Sequence, residues 1–456
     1  MIEYIIISII ILLSTAIMLI SLSIGKRLIK DSRSISEPIL NIVFFFAYYK
    51  IIAYYAFPAF LNIISNYDFV RQDSIELYNL AYLYIIECFS WMPWLVAFIF
   101  ISRVVNKGEL FNGAGLIRHR SEFSKIFLVI WVLGYMYYKY YTLININMEY
   151  KIPIYFEIMK ALLVYGGPPA SVFLMVIGFH YWSKISTIVG IIGSLFSVFT
   201  ISTRGMIVYS AIFLFYVIKN FAPKKKYFIA VSALFIILAS SHLFFGGLLG
   251  NQLTVNDDGT VTTDIGIVDK KGHRSPLKEV EWRFGALTRY STGFITMYER
   301  GESAGINPIR NSLLGFLPRS LNPDKPHPST RDGNDMYSEG MYLINKEIDG
   351  YSSASMTEFS SGGHSYWEFG WFGVLLLNFI SGLYIAICAF YFQRMGAIAI
   401  PLMVTLFKPW GFVDPKIWVS DIVMQIYQII LPMLVLLFIF NHIKPWMSKN
   451  QLISNK

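Results

Sequence analysis

The sequence predicts an all-α polytopic membrane protein of about 11 transmembrane helices with one large extracytoplasmic loop. Three observations carry this. Hydrophobic residues make up 55% of the 456-residue chain and charged residues only 15%, where a soluble domain has roughly a quarter charged. The apolar residues come in runs of about 20, the length that crosses a bilayer core as a helix. The basic residues then alternate between successive connecting loops, rich in one set and sparse in the next.

Taken in order, spans are expected at 3–24, 39–64, 79–102, 126–146, 158–180, 185–202, 205–221 and 227–249, and then at 366–392, 396–411 and 418–441. The first run has Glu3 before it and Lys26, Arg27 and Lys30 after it. A cleavable signal carries its basic residues in front, so this reads as a retained helix. The fifth span is interrupted by "YGGPPAS" (Tyr165–Ser171), which neighbouring helices can tolerate. Lys26, Arg27, Lys30, Arg33, Arg103, Lys107, Arg118, Arg120 and Lys125 fall in one set of loops. Lys184, the Lys219 and Lys224–Lys226 cluster, Arg394 and the tail residues Lys444, Lys449 and Lys456 continue it. The short loops of the other set hold only Arg71, Lys151, Arg204, Lys408 and Lys416. The positive-inside rule places the first set in the cytoplasm. The amino terminus is then outside and the carboxyl terminus inside, which requires an odd number of spans.

This gives three parts: helices over 1–248, a large outer loop over 249–365, and three further helices with a cytoplasmic tail over 366–456. The net charge of +9 is spent on orientation in short loops, so nucleic acid is not an expected partner. The lipid bilayer is. Cys88 and Cys388 both sit in apolar runs and read as small apolar residues without redox or zinc spacing. In the long loop, Gly250–Gly272 alternates like a polar hairpin around an Asp-Asp-Gly turn at Asp257–Gly259. Residues 279–301, "EVEWRFGALTRYSTGFITMYERG", have apolar spacings of three and four, as in an interfacial helix.

Nucleotide-binding glycine loops, zinc-protease motifs and serine elbows are missing from the sequence; no metal or cofactor is expected. Glu87, Lys139, Lys160, His242 and Asp421 are the main ionisable residues within spans, all toward their outer halves. Glu87 is the best candidate for the charge an ion- or proton-driven transporter would need; otherwise it is a carboxylate near a wet outer vestibule, because intramembrane charges find water or a partner. Arg204, in "FTISTRGMIVYS", lies on the side the positive-inside rule disfavours. It either snorkels to lipid phosphate or points into an outer cavity and binds an anion. Arg283 and Arg289 stand six apart on the expected interfacial helix, and Arg283 has Glu279 one turn before it for a surface ion pair. Arg310, Arg319, Lys325 and Arg331 follow. Arginine on backbone stiffened by Pro318, Pro323 and Pro326 suits bidentate recognition of phosphate oxygens. Then "GYSSASMTEFSSGGHSYWEFGWFG" (Gly350–Gly373) offers hydroxyls, glycines and rings that suit a saccharide, or a linker with an interfacial Trp/Tyr belt at Tyr366, Trp367 and Trp371. Glu358 and His364 are its two candidate general bases.

Three features in this order resemble the Wzy-type polymerases of bacterial surface polysaccharides. They are the "TRG" turn at Thr203–Gly205, the Pro-Arg-x-x-x-Pro-x-Lys-Pro segment at Pro318–Pro326, and "FGxxG" at Phe369–Gly373 after the Ser/Gly stretch. The arginine–glycine spacing described for that family is not kept, since Arg283 to Gly293 is one residue too close. The resemblance implies a GT-C-like glycosyltransferase of the bacterial inner (plasma) membrane. It implies polymerisation of undecaprenyl-pyrophosphate-linked oligosaccharide on the outer face, with undecaprenyl pyrophosphate leaving. It also implies a flippase and a chain-length regulator of the same pathway as partners. Glu358 or His364 would be the base, with Glu358 as the family-position match. Arg204, Arg283, Arg289, Arg310, Arg319 and Lys325 would hold pyrophosphate and glycan. The alternatives are an O-antigen ligase, for which a loop histidine is the expected base, and a lipid-linked oligosaccharide flippase or other transporter.

Overall fold

The computed structural model describes residues 2–64, 77–105, 113–144, 154–199, 251–255, 261–265, 291–314, 360–407, 415–435 and 438. The expected seventh and eighth spans, 205–221 and 227–249, lie outside them. Long helices dominate: α1 (Ile2–Ser32), α2 (Glu37–Ile51) continued through a π turn at Ile52–Ala56 into α3 (Phe57–Ile64), and α4 (Leu77–Val104). A short α5 (Gly113–Arg118) precedes α6 (Ser121–Ile144), α7 (Ile154–Tyr181) and α8 (Lys184–Phe199). Four apolar helical stretches among the described residues are long enough to cross a membrane: Glu3–Ser32, Glu37–Leu61, Tyr78–Val104 and Ser361–Leu406. On α1, Ile5, Ile9, Leu12, Leu13 and Ile20 are exposed. So continuous an apolar surface is suited to lipid rather than water. The chain has the helices of a multi-pass membrane protein.

The non-helical exception is the hairpin expected from the Asp-Asp-Gly turn. Strands β1 (Asn251–Val255) and β2 (Val261–Ile265) pair antiparallel, with Val255 opposite Val261. The turn itself lies outside the described residues.

The "YGGPPAS" stretch does not interrupt its span. Pro168 and Pro169 sit inside the continuous α7. Gly166 and Gly167 face the rings of Trp131 and Tyr135 so closely that an added Cβ would overlap them. The indole N–H of Trp131 donates to Leu162 O at 2.8 Å. Small residues here let α6 and α7 approach, as membrane helices do where hydrophobicity alone gives them no reason to associate. The same device joins α7 to α8, where Gly190 abuts the Met175 backbone.

One end of the bundle is basic. Gln393 clamps the α1–α2 turn, accepting from Ser36 N at 2.8 Å and donating to Ser34 O at 2.9 Å. Ser124, at the start of α6, donates to Met395 O at 3.2 Å, and Trp182 shares a surface pocket with Arg118, Glu122 and Lys125. These contacts gather Lys30, Arg33, Arg118, Arg120, Lys125, Lys184 and Arg394 at the same end, as the loop alternation requires.

The ninth span differs from its expected form. The helix α11 (Ser361–Phe392) contains Phe369 at φ −143°, ψ 23° and Gly370 at φ 60°, ψ −145°, neither of them helical. Ser361 Oγ nevertheless meets Asn378 Oδ1 at 2.8 Å, across 17 residues, a separation of about 25 Å along a straight helix at 1.5 Å per residue. Residues 361–368 therefore fold back on residues 371–392. Gly363 meets Glu87 and Tyr366 meets Tyr82, so the short arm runs antiparallel to α4. Trp371 then meets Tyr82, and Gly382 meets Trp94, so the long arm runs parallel to it. The polar octet "SGGHSYWE" is wholly buried in this hairpin. Thus Tyr366 and Trp367 are not an interfacial belt; both pack inward, while Trp371 is partly exposed. The chain continues through a 3-10 turn (Gln393–Ile398), which bends at Gly396 (φ 69°), into α12 (Ala399–Leu406) and later α13 (Val419–Gln425). At eight residues, α12 is about 12 Å long and does not cross a bilayer by itself.

The fold-back is open to a direct test. In a chain with Cys88 and Cys388 replaced by alanine, Ser361→Cys and Asn378→Cys together should form an intramolecular disulfide under mild oxidation. Intact-mass analysis reads it. A pair that stays reduced indicates the straight helix instead.

Candidate functional site

The site is built where four pieces of chain converge on α4 between Tyr82 and Trp94. The short arm contributes its N-terminus, capped by Ser360, whose hydroxyl accepts from Gly363 N at 3.0 Å. A helix over residues 291–299, α9, lies alongside; Ser291 Oγ accepts from Ser360 N at 2.8 Å, and Phe294 stacks on Trp367 at 4.5 Å. Ser291, Thr292, Phe294 and Ile295 are fully buried. The described part of the expected interfacial helix is thus inserted into the bundle, because its apolar spacing faces the hairpin. Trp367 also donates to Glu302 O at 2.8 Å, and Ala304 N donates to Trp367 O at 3.2 Å. That fixes the approach to α10 (Asn307–Leu314), which packs on α13. The last piece is the extended segment 415–418.

At the base of this arrangement Glu87 and Lys416 form an ion pair at 2.6 Å, both fully buried. The other carboxylate oxygen accepts from Gly363 N at 3.1 Å. Lys416 also donates to Ser90 Oγ and lies 4.6 Å from the centre of the Trp91 ring. Trp94 ties the same segment down, donating from its indole to Pro415 O at 3.0 Å. An anion at a helix N-terminus is favoured by the unsatisfied N–H groups there. The expectation of a wet vestibule at Glu87 is therefore corrected, since its partner is a lysine counted among the short-loop cations. Nothing local in the sequence links two residues 329 positions apart.

One turn along the short arm sits His364, 1% exposed. Its ring stacks on Trp418 at 4.4 Å with 4° between the planes, and Phe294 meets it edge-on at 5.8 Å. Glu368, on the next turn, places Oε1 at 3.6 Å from His364 Nδ1. Asp421, on the first turn of α13, is buried and close enough for its charge to act on Glu368. Among the described residues no cluster of three or more His, Cys, Asp or Glu has the geometry to hold a metal. The arrangement is suited to proton transfer: an imidazole held by a stacked ring and faced by a carboxylate.

Of the residues singled out from sequence, His364 falls in this cluster. Arg310 lies on α10, exposed at the same end of the bundle. Arg204, Arg283, Arg289, Arg319, Lys325 and Glu358 lie outside the described residues. Sequence reasoning missed Lys416, Glu368 and Trp418. For Glu368 a signal existed, since it stands four residues after His364 and so shares its helix face. Comparison with family models, with curated proteins and with solved structures finds no match.

The ion pair makes a stability prediction. Removing Lys416 alone leaves a buried uncompensated carboxylate, so Lys416→Met should lower stability by about 3–5 kcal/mol. Glu87→Leu combined with Lys416→Met should recover most of that loss. Thermal unfolding of the three chains in detergent measures it.

Proposed function

We propose that this protein is a membrane glycosyltransferase that polymerises undecaprenyl-pyrophosphate-linked oligosaccharide repeat units into a surface polysaccharide. In this reading the face opposite the basic end is extracytoplasmic, and the bilayer is a bacterial plasma membrane. The observation that carries it is the buried His364–Glu368 pair. In sequence, His364 stands at the end of the long hydrophilic segment. A reaction outside the cytoplasm has no nucleotide sugar to draw on, so its donor must bring its own leaving group.

The division of labour follows from the residue types. His364 takes the proton from the acceptor sugar hydroxyl as that oxygen attacks the anomeric carbon of the donor. The anomeric carbon–oxygen bond to pyrophosphate breaks, and the leaving group keeps the electron pair. Arg204, together with Arg283, Arg289, Arg310, Arg319 and Lys325 of the long hydrophilic segment, takes up the charge developing on the phosphates. Glu358 remains the second carboxylate the sequence offers as a base. His364 is preferred because stacking and a facing carboxylate already hold its ring.

A transport reading draws on a different observation, the short helix arm that ends beside the buried Glu87–Lys416 pair. Broken helices with charges at their ends are how many transporters bind ions and substrates. A strain lacking the gene separates the readings. Polymerase loss leaves single repeat units on the acceptor lipid. Ligase loss leaves long chains on undecaprenyl pyrophosphate, and flippase loss traps single units inside. Restoring the native gene should bring back full-length polymer, while His364→Asn should cut chain extension by about 100-fold or more. Gel profiles of the extracted glycan report both, and full-length polymer made by His364→Asn would remove His364 as the base.

A further inference from the structure

We propose that Glu368 is a positioning residue that orients His364 for proton transfer, the carboxylate half of a histidine–carboxylate dyad carried on one re-entrant helix arm. The catalytic use of the dyad rests on the glycosyl-transfer reading above; its geometry does not.

Three observations support the pairing. Glu368 is 3% exposed, and a carboxylate is rarely buried so fully without a specific polar role. Its Oε1 faces His364 Nδ1 at 3.6 Å from the next turn of the same arm. That is an electrostatic contact rather than a formed hydrogen bond, and such contacts tighten when a catalytic site fills. The arm is pinned at both ends. Gly363 is bound to Glu87 at its start, and the Phe369–Gly370 reversal closes its end. The spacing of the two side chains is thus fixed by the hairpin.

Among the described residues, Glu368 is the carboxylate on the Nδ1 edge of His364. Trp418 covers the ring face and Phe294 meets its edge. Asp421 approaches from α13 and acts on Glu368. Glu87 lies at the start of the same arm, ion-paired with Lys416. With Nδ1–H turned toward Glu368, Nε2 is the nitrogen that accepts a proton. The step balances. The proton of the acceptor hydroxyl moves to Nε2 and the oxygen's electron pair forms the new glycosidic bond. The pyrophosphate departs with the pair from the bond it loses, and the imidazolium is stabilised by Glu368 until it releases its proton.

The test uses the full chain with 15N-labelled histidine in lipid nanodiscs, the His364 signals being those missing from His364→Asn. The native protein should show His364 protonated at Nδ1. Glu368→Ala should revert to the Nε2-protonated form that free imidazole prefers, with Glu368→Asp intermediate. An unchanged tautomer in Glu368→Ala would overturn the proposal. If that variant does not fold, Glu368→Leu, whose side chain cannot accept from Nδ1–H, gives the same readout: a shift in tautomer balance supports the dyad and an unshifted one refutes it. In a strain lacking the native gene, Glu368→Gln should extend chains at least tenfold more slowly, with Glu368→Asp restoring part of the rate. A tautomer that responds to Glu368, together with full-length polymer from His364→Asn, would keep the pairing and defeat the glycosyl-transfer role.

Discussion

The Glu87–Lys416 ion pair constrains everything around it. Taking two charges out of water costs several kcal/mol each even after relaxation, and their attraction repays this only when further hydrogen bonds satisfy both groups. In this protein the supporting groups come from three places far apart in sequence: Ser90 and Trp91 on α4, Gly363 on the short arm, and the segment that carries Lys416 itself. None of them can be displaced alone without leaving a charge unsatisfied. The pair therefore holds the hairpin, α4 and the entry to α13 in one arrangement.

The hairpin has its own constraint. A polar stretch such as "SGGHSYWE" is unsuited to facing lipid, because each unpaired backbone or side-chain group would go unsatisfied there. Folding back against residues 371–392 solves this from within the chain. Asn378 meets Ser361 and Ser365 from the long arm, at 2.8 Å and 3.3 Å, while also donating to Val374 O. The reversal needs a backbone at positive φ that also approaches its neighbours closely. Gly370 provides this, since a Cβ there would meet the hydroxyl end of Tyr298. The glycines and serines of 360–365, part of a stretch that also reads as a linker, permit tight antiparallel packing.

How much of this was legible in the sequence depends on the range of the interaction. The apolar runs over 3–24 and 79–102 reappear as α1 and α4, because length and hydropathy are local properties. The 251–265 ribbon was legible from its alternation and its Asp-Asp-Gly turn. The fold-back was not, because a hydropathy window reads how apolar a stretch is and is blind to the direction it runs. The Gly-Gly-Pro-Pro of α7 reads as an interruption that neighbours can tolerate, and the helix runs continuously through it with α6 rings packed on its glycines. His364 stood out by residue type. Its carboxylate neighbour needed the knowledge that residues 361–368 form a separate helix, and Lys416 needed a pairing no local pattern encodes.

Under the glycosyl-transfer proposal, a base carried on a short helix serves polymerisation better than one carried on a loop. Each turnover presents a different, longer glycan, so the groups that grip the substrate have to accommodate variable chains. The proton acceptor has to meet the same hydroxyl geometry every time, within the few tenths of an ångström that productive alignment allows. The sequence separates these demands. In the proposed reading Arg319 and Lys325, set among Pro318, Pro323 and Pro326 in the sequence, hold phosphate by contacts that do not depend on sugar identity. His364 lies on an arm fixed by Glu87 at one end and by Gly370 at the other, with Trp418 against its ring. In that reading positional precision comes from the buried ion pair, and tolerance for the substrate from the cations of the long hydrophilic segment.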